Sequence, residues 1–290
     1  MFAILASLIS HLKNLSRENG AVMSKFKHTF NIPFPNILHK VLDTELIDKF
    51  DEIFVIGDVH GCFDEMQNII RLAHEDEYTN SKILKIFVGD LVNKGPKSKE
   101  VIDFMMRHKH DCLSVRGNHD EVVLREYFKC KQNDEQLESK NAWIANLNED
   151  EINYLVDLPY TISIPNLSVT MVHAGLIPGI GLEETNPLDM VTMRNLICDS
   201  SRDTRELKAI KDESQGEPWA LFWRGPQHVY FGHDAKRMLQ KYEFATGLDT
   251  GCVYGKMLTG VFIKGKRLNQ FVQVNAEKIY QTPGAMNNNS

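Results

Sequence analysis

The sequence has no run of roughly 20 apolar residues, the length that spans a bilayer, so no transmembrane segment is expected. A surplus of basic charge is also missing. The net charge of −6 offers no general attraction to a phosphate backbone, so no stable nucleic-acid complex is expected, and any anionic substrate must be held by local cations. Cysteine is sparse: Cys62, Cys112, Cys130, Cys198 and Cys252 are scattered and form no C-x-x-C pair. That argues against a zinc ribbon or a redox dithiol and fits a reducing, cytoplasmic compartment. Internal repeats and long low-complexity tracts are absent. What remains is ordinary globular composition over 290 residues, 42% hydrophobic and 25% charged, enough to bury the core of one large α/β domain.

Residues 1–45 read as an N-terminal extension, 46–282 as the main domain, and 283–290 as a polar tail. In the extension, Phe2, Leu5, Leu8, Ile9, Leu12 and Leu15 recur at helical spacing, and no acid appears before Glu18. This suits a helix docked on the domain, or an amphipathic segment directing the chain to an organelle or membrane surface. Lys13 and Arg17 are thin basic content for the second reading.

The apolar run Ile53-Phe54-Val55-Ile56 stops at Gly57, as a strand buried on both faces would. Met66, Ile69, Ile70 and Ala73 then fall on one helical face. The unit repeats at Ile83 to Val88, with a helix over Val101, Ile102 and Met105, and again from Cys112 to Val115. Three β-loop-α units in succession predict a largely parallel sheet with helices packed on it. From about Ser163 the texture changes to short β-branched runs, Val169 to Val172, Val229 to Phe231, Val261 to Lys264 and Phe271 to Val274, which suggest a second, mixed sheet facing the first. Residues 177–218 are polar and weakly periodic and read as an excursion over the active-site face.

Each early strand ends in a loop that opens with a good metal ligand: Gly57-Asp58-Val59-His60-Gly61, Gly89-Asp90-Leu91-Val92-Asn93-Lys94-Gly95-Pro96, and Arg116-Gly117-Asn118-His119-Asp120. Ligands gather at the carboxyl ends of strands in open α/β sheets, so these loops should converge. His173 and His233 follow apolar strands in the same way. Carboxylate, imidazole and one amide oxygen make a mixed donor set suited to Mn2+, Fe or Zn2+ rather than to an all-oxygen calcium site.

Taken in order, G-D-x-H-G, G-D-x-V-x-x-G, G-N-H-D, His-Ala-Gly and Phe-Gly-His resemble the calcineurin-like metallophosphoesterases of the phosphoprotein phosphatase superfamily. Cys62 after the first motif, Asn93-Lys94-Gly95-Pro96, Gly232-His233-Asp234 and Leu248-Asp249-Thr250-Gly251-Cys252 resemble its ApaH-like branch, related to symmetrical bis(5′-nucleosyl)-tetraphosphatase. The resemblance implies a four-layer α/β-β/α sandwich of two mixed sheets. It also implies two divalent ions, Mn2+ first among Mn2+, Fe, Zn2+ and Mg2+. Asp58, His60 and Asp90 would hold one ion, and Asp90, Asn118, His173 and His233 the other.

By the same resemblance His119 is the general acid, with Asp120 or a more distant carboxylate compensating it. Lys94, Arg116 and Arg224, with Asn118, would bind the phosphate. The implied reaction is attack by a metal-bridging hydroxide without a phosphoenzyme. Phosphoanhydrides are the favoured substrates: dinucleoside polyphosphates, nucleotide 5′ ends or polyphosphate. A Ser/Thr phosphoprotein phosphatase is the alternative. Two departures from the protein-phosphatase pattern speak against that alternative: Asn93 stands where those enzymes carry Asp, and Lys94 where they carry Arg, exchanging a bidentate fork for a point charge.

Overall fold

A computed structural model describes residues 32–75, 81–133, 136–199 and 206–282. The helical spacing read over residues 1–22 and the polar tail lie outside the described residues. Strand β2 (Glu52–Ile56) is buried along its whole length. Its alternate residues serve two cores: Phe54 and Ile56 pack among the helices, Ile53 and Val55 against the second sheet. It pairs in parallel with β3 (Ile83–Phe87), which pairs in parallel with β4 (Cys112–Ser114). After the short α1 (Thr44–Ile47), three helices follow these strands, α2 (Phe63–His74), α3 (Ser98–Arg107) and α4 (Asn118–Asn133), and α5 (Glu149–Val156) comes next in the chain.

The first sheet is completed by β13 (Met257–Lys264), antiparallel to β2, and β14 (Phe271–Asn275), antiparallel to β13. Both had been expected in the second sheet. Periodicity reports that a strand is half buried but not which edge it will pair with. The second sheet runs β1 (His39–Val41), β5 (Thr161–Ile164), β6 (Val169–Val172), β10 (His228–Phe231), β12 (Ala245–Gly247), β11 (Gln240–Lys241). Strand β1 lies within the stretch read as an extension, yet pairs in parallel with β5.

Between the sheets, Val55, Ile86, Val88 and Val115 meet Ile162, Met171 and Tyr230. Outside the second sheet, Met190, Val191 and Trp219 pack on Val172, Val229 and Phe231. Met190 and Val191 come from the 177–218 excursion, and Trp219 directly follows it. That segment supplies α6 (Pro187–Thr192) and an antiparallel sheet of β7 (Asn195–Asp199), β8 (Glu206–Ile210) and β9 (Glu217–Pro218). The layers are thus helices, two mixed sheets, and the cover provided by the excursion. No helix among the described residues is long and apolar enough to cross a membrane.

Candidate metal centre

The loops after β2, β3 and β4 are tied to one another through their backbones. The Asp90 carbonyl accepts the Val59 and His60 N–H groups at 3.2 and 2.7 Å. The Asp120 carboxylate accepts from Gly117, Leu91 and Asp90 at 2.7, 3.0 and 3.1 Å. Asp120 therefore holds these loops together through backbone N–H groups, and among the described residues its hydrogen bonds do not include His119, for which it was expected as the compensating acid. The first turn of α4 carries Asn118 and His119 into the same space. Glycine is required where loops touch: a Cβ on Gly117 would lie 2.2 Å from Asp90 Oδ1, and one on Gly232 1.9 Å from Asp58 Oδ1. His60, Asp90, Asn93, Lys94 and His233 all adopt positive φ without being glycine. Such local strain is sustained only when the surrounding structure enforces it, and it clusters at functional sites.

Asp58, Asp90 and His173 each present a ligand atom within 4.8 Å of the others, and all three are buried. His60 Nε2 lies 3.3 Å from Asp90 Oδ2, and His173 Nε2 3.4 Å from Asp90 Oδ1. Backbone carbonyls fix the tautomers, because a carbonyl can only accept. His173 Nδ1–H donates to Val88 O at 2.8 Å and His233 Nε2–H to Thr192 O at 3.2 Å. The opposite nitrogens, His173 Nε2 and His233 Nδ1, then carry lone pairs, and each sits 2.9 Å from Asn118 Oδ1.

Three acceptors thus meet with no proton to share. Burial keeps both rings neutral, His173 at about 4 and His233 well below the usual imidazole range. Asp58 Oδ1 is buried and, among the described residues, has no hydrogen-bond partner. Burial, with Asp249 and Asp90 beside it, pushes the Asp58 carboxyl well up, and burial raises Asp90 to about 7. Convergent lone pairs and an unpaired buried carboxylate oxygen fit divalent cations and little else.

The expected phosphate cations separate into three fates. Lys94 is in the pocket, its Nζ 3.1 Å from His60 Nε2, and its charge pulls Asp90 and Asp58 down. Arg116 is 0% exposed and bonded to Tyr160 Oη, Val156 O and Pro33 O, with Glu121 at 3.8 Å. It cannot meet a substrate arriving from solvent; it cross-links the core instead. Arg224 is exposed, and among the described residues no hydrogen bond or ion pair ties it to the pocket.

Two site residues were missed. Arg194, between α6 and β7, donates to His233 O at 3.4 Å, lines a cavity with His233, Asp234 and Trp219, and acts electrostatically on Asp90, His119 and His233. Nothing in its weakly periodic surroundings marks it. Asp249 is buried beside Asp58, its Oδ1 accepting Gly251 N–H at 3.0 Å. Its motif was noticed without a role, although an acid just after a strand is the signal that disclosed Asp58 and Asp90.

His119 meets Asn93. The Asn93 Oδ1 accepts Lys94 N–H at 2.8 Å, which turns Nδ2 toward His119 Nδ1, 3.2 Å away. An amide nitrogen only donates, so His119 Nδ1 accepts and Nε2 carries the proton. Burial and then Lys94 hold the ring well below the usual imidazole range, hence neutral.

Fold and donor set together define a class, the metal-dependent phosphate hydrolases. The calcineurin-like phosphoesterase profile matches residues 52–255, and the chain belongs to that family, whose members use two divalent metals. It is 30% identical over 263 residues to the symmetrical bis(5′-nucleosyl)-tetraphosphatase of Coxiella burnetii, covering 73% of this chain and 89% of that protein. To the asymmetrical bis(5′-nucleosyl)-tetraphosphatase PrpE of Bacillus subtilis it is 28% identical over 229 residues, covering 71% and 88%. A crystal structure described as a candidate diadenosine tetraphosphatase superposes with a TM-score of 0.69 at 32% identity, over 83% of this chain and 98% of that one.

Proposed function

We propose that the protein hydrolyses phosphoanhydride bonds, with dinucleoside polyphosphates as its substrate class and nucleotide 5′ ends or polyphosphate as the nearest competitors. The observation that carries this reading is the meeting of His173 Nε2, His233 Nδ1 and Asn118 Oδ1, three acceptors at 2.9 Å separations, beside the unpaired Asp58 Oδ1. Relatives at about 30% identity that cleave bis(5′-nucleosyl) tetraphosphates support the substrate class.

Asp58, His60 and Asp90 would hold one cation and Asp90, Asn118, His173 and His233 the second, with Mn2+ favoured over Fe, Zn2+ or Mg2+. Such a pair supplies an activated water and neutralises phosphoryl oxygens. The remaining work belongs to side chains. Lys94 and Arg194 orient the phosphate, and Arg194 takes the place expected of Arg224. His119 Nε2–H donates to the leaving oxygen, its tautomer set by Asn93.

Asn93 bears on the substrate. A carboxylate at this position would stabilise an imidazolium, the strong acid needed to expel a serine or threonine alkoxide; a neutral amide does not. A phosphate leaving group, with a second pKa near 6, departs as a stable anion and needs only a hydrogen bond. This favours anhydrides over phosphoproteins. Purified protein with Mn2+ should be offered diadenosine tetraphosphate, capped RNA, polyphosphate and a phosphopeptide side by side. Preferential cleavage of the dinucleotide is expected, and preference for the phosphopeptide would overturn the reading.

A further inference from the structure

Cys62, Glu65 and Cys252 form a second cluster of ligating groups that the proposed chemistry does not use. Each presents a ligand atom within 4.8 Å of the other two, and the three are 1%, 1% and 2% exposed. Cys62 caps the N-terminus of the 12-residue helix α2, with Glu65 in its first turn, and Cys252 opens the turn after Asp249. Glu65 is held firmly. Its Oε1 accepts the Tyr280 hydroxyl at 2.8 Å and the Glu277 N–H at 2.9 Å. Its Oε2 is buried and, among the described residues, has no hydrogen-bond partner. A buried carboxylate oxygen left unpaired costs free energy unless a cation or proton meets it.

We propose that Cys62, Glu65 and Cys252 bind a thiophilic divalent cation of the Zn2+ type, separate from the nitrogen and oxygen centre. Two sulfurs and one carboxylate oxygen are ligands that zinc accepts, and atoms within 4.8 Å of one another can close on one ion at metal–sulfur distances of about 2.3 Å. The hydrogen bonds to Glu65 Oε1 act as outer-shell supports that fix the carboxylate. On binding, two S–H protons leave to solvent and two metal–sulfur bonds form, with no change of oxidation state.

A disulfide is the competing use of two neighbouring thiols, but it would leave Glu65 Oε2 unpaired. The ion would brace the loop carrying Asp58 and His60 against the one carrying Asp249.

The test reads sulfur ligation rather than hydrolysis, so it stands apart from the proposed activity. The full-length reduced protein, kept in excess Mn2+, is titrated with Co2+. The proposed catalytic donors include no sulfur, so thiolate-to-cobalt charge-transfer absorption can come only from a thiol site. The expected result is a band saturating at about one Co2+ per chain and lost in Cys62→Ser and Cys252→Ser. Absence of the band, or its survival in the double variant, overturns the proposal. Should the variants not fold, X-ray absorption on Zn2+-loaded wild type decides: about two sulfur neighbours support the site, and a shell of nitrogen and oxygen alone refutes it. A Cys62–Cys252 disulfide whose reduction restores no Co2+ band also refutes it.

Discussion

The two halves of the metal pocket are built in different ways. One half comes from three consecutive loops on one sheet, after β2, β3 and β4, locked together by the Asp90 carbonyl and the Asp120 carboxylate. The other comes from His173 and His233, just beyond the ends of the neighbouring strands β6 and β10 of the second sheet, and from Arg194 in the cover above them. The first half is braced through its backbone, with positive φ at His60, Asp90, Asn93 and Lys94; the second brings candidate donors whose positions depend on how two sheets pack. Proton delivery by His119 would therefore rest on the first half, while phosphate binding would be shared between Lys94 in the first half and Arg194 in the second.

The largest effect is expected where the halves meet. Asp90→Asn removes the carboxylate shared by His60 and His173 and is predicted to abolish hydrolysis and lower bound metal, as measured by turnover and metal analysis. Near-normal turnover would remove the bridging role. His119→Ala acts within the first half alone. It should keep its metal and slow turnover by ~10²–10⁴; loss of metal instead would make His119 a support of the centre.

The second half is tested by comparing two arginines. Arg194→Ala is predicted to raise KM by roughly tenfold, the loss of a charge-assisted bond of about 1.4 kcal/mol, while Arg224→Ala leaves it near wild type. The reverse pattern would return the clamp to Arg224 and dissolve the division between the halves. The smallest change expected is one of preference. Asn93→Asp combined with Lys94→Arg should raise phosphopeptide cleavage relative to anhydride cleavage, by ~10-fold or less. An unchanged ratio would mean that substrate choice does not reside in this loop.

Legibility followed the same division. Asp58, His60, Asp90, Asn118 and His119 could be read directly, because an apolar strand punctuated by glycine and a polar ligand is a local signal. His173 and His233 were found by the same rule. Arg194 carries no such mark, since its importance arises from α6 and β7 folding over His233. Asp120 looked like a catalytic acid by adjacency to His119, yet its side chain is committed to backbone N–H groups.

By itself, then, the chain's sequence determined the candidate donors, their order and the α/β framework, because strand periodicity, glycine punctuation and donor chemistry are properties of short segments. Tertiary structure alone decided that Arg116 is sealed in the core while Arg194 reaches the His233 carbonyl, and that β13 and β14 join the first sheet. Side-chain direction and strand partnership depend on segments far apart in the chain, and no local pattern encodes them.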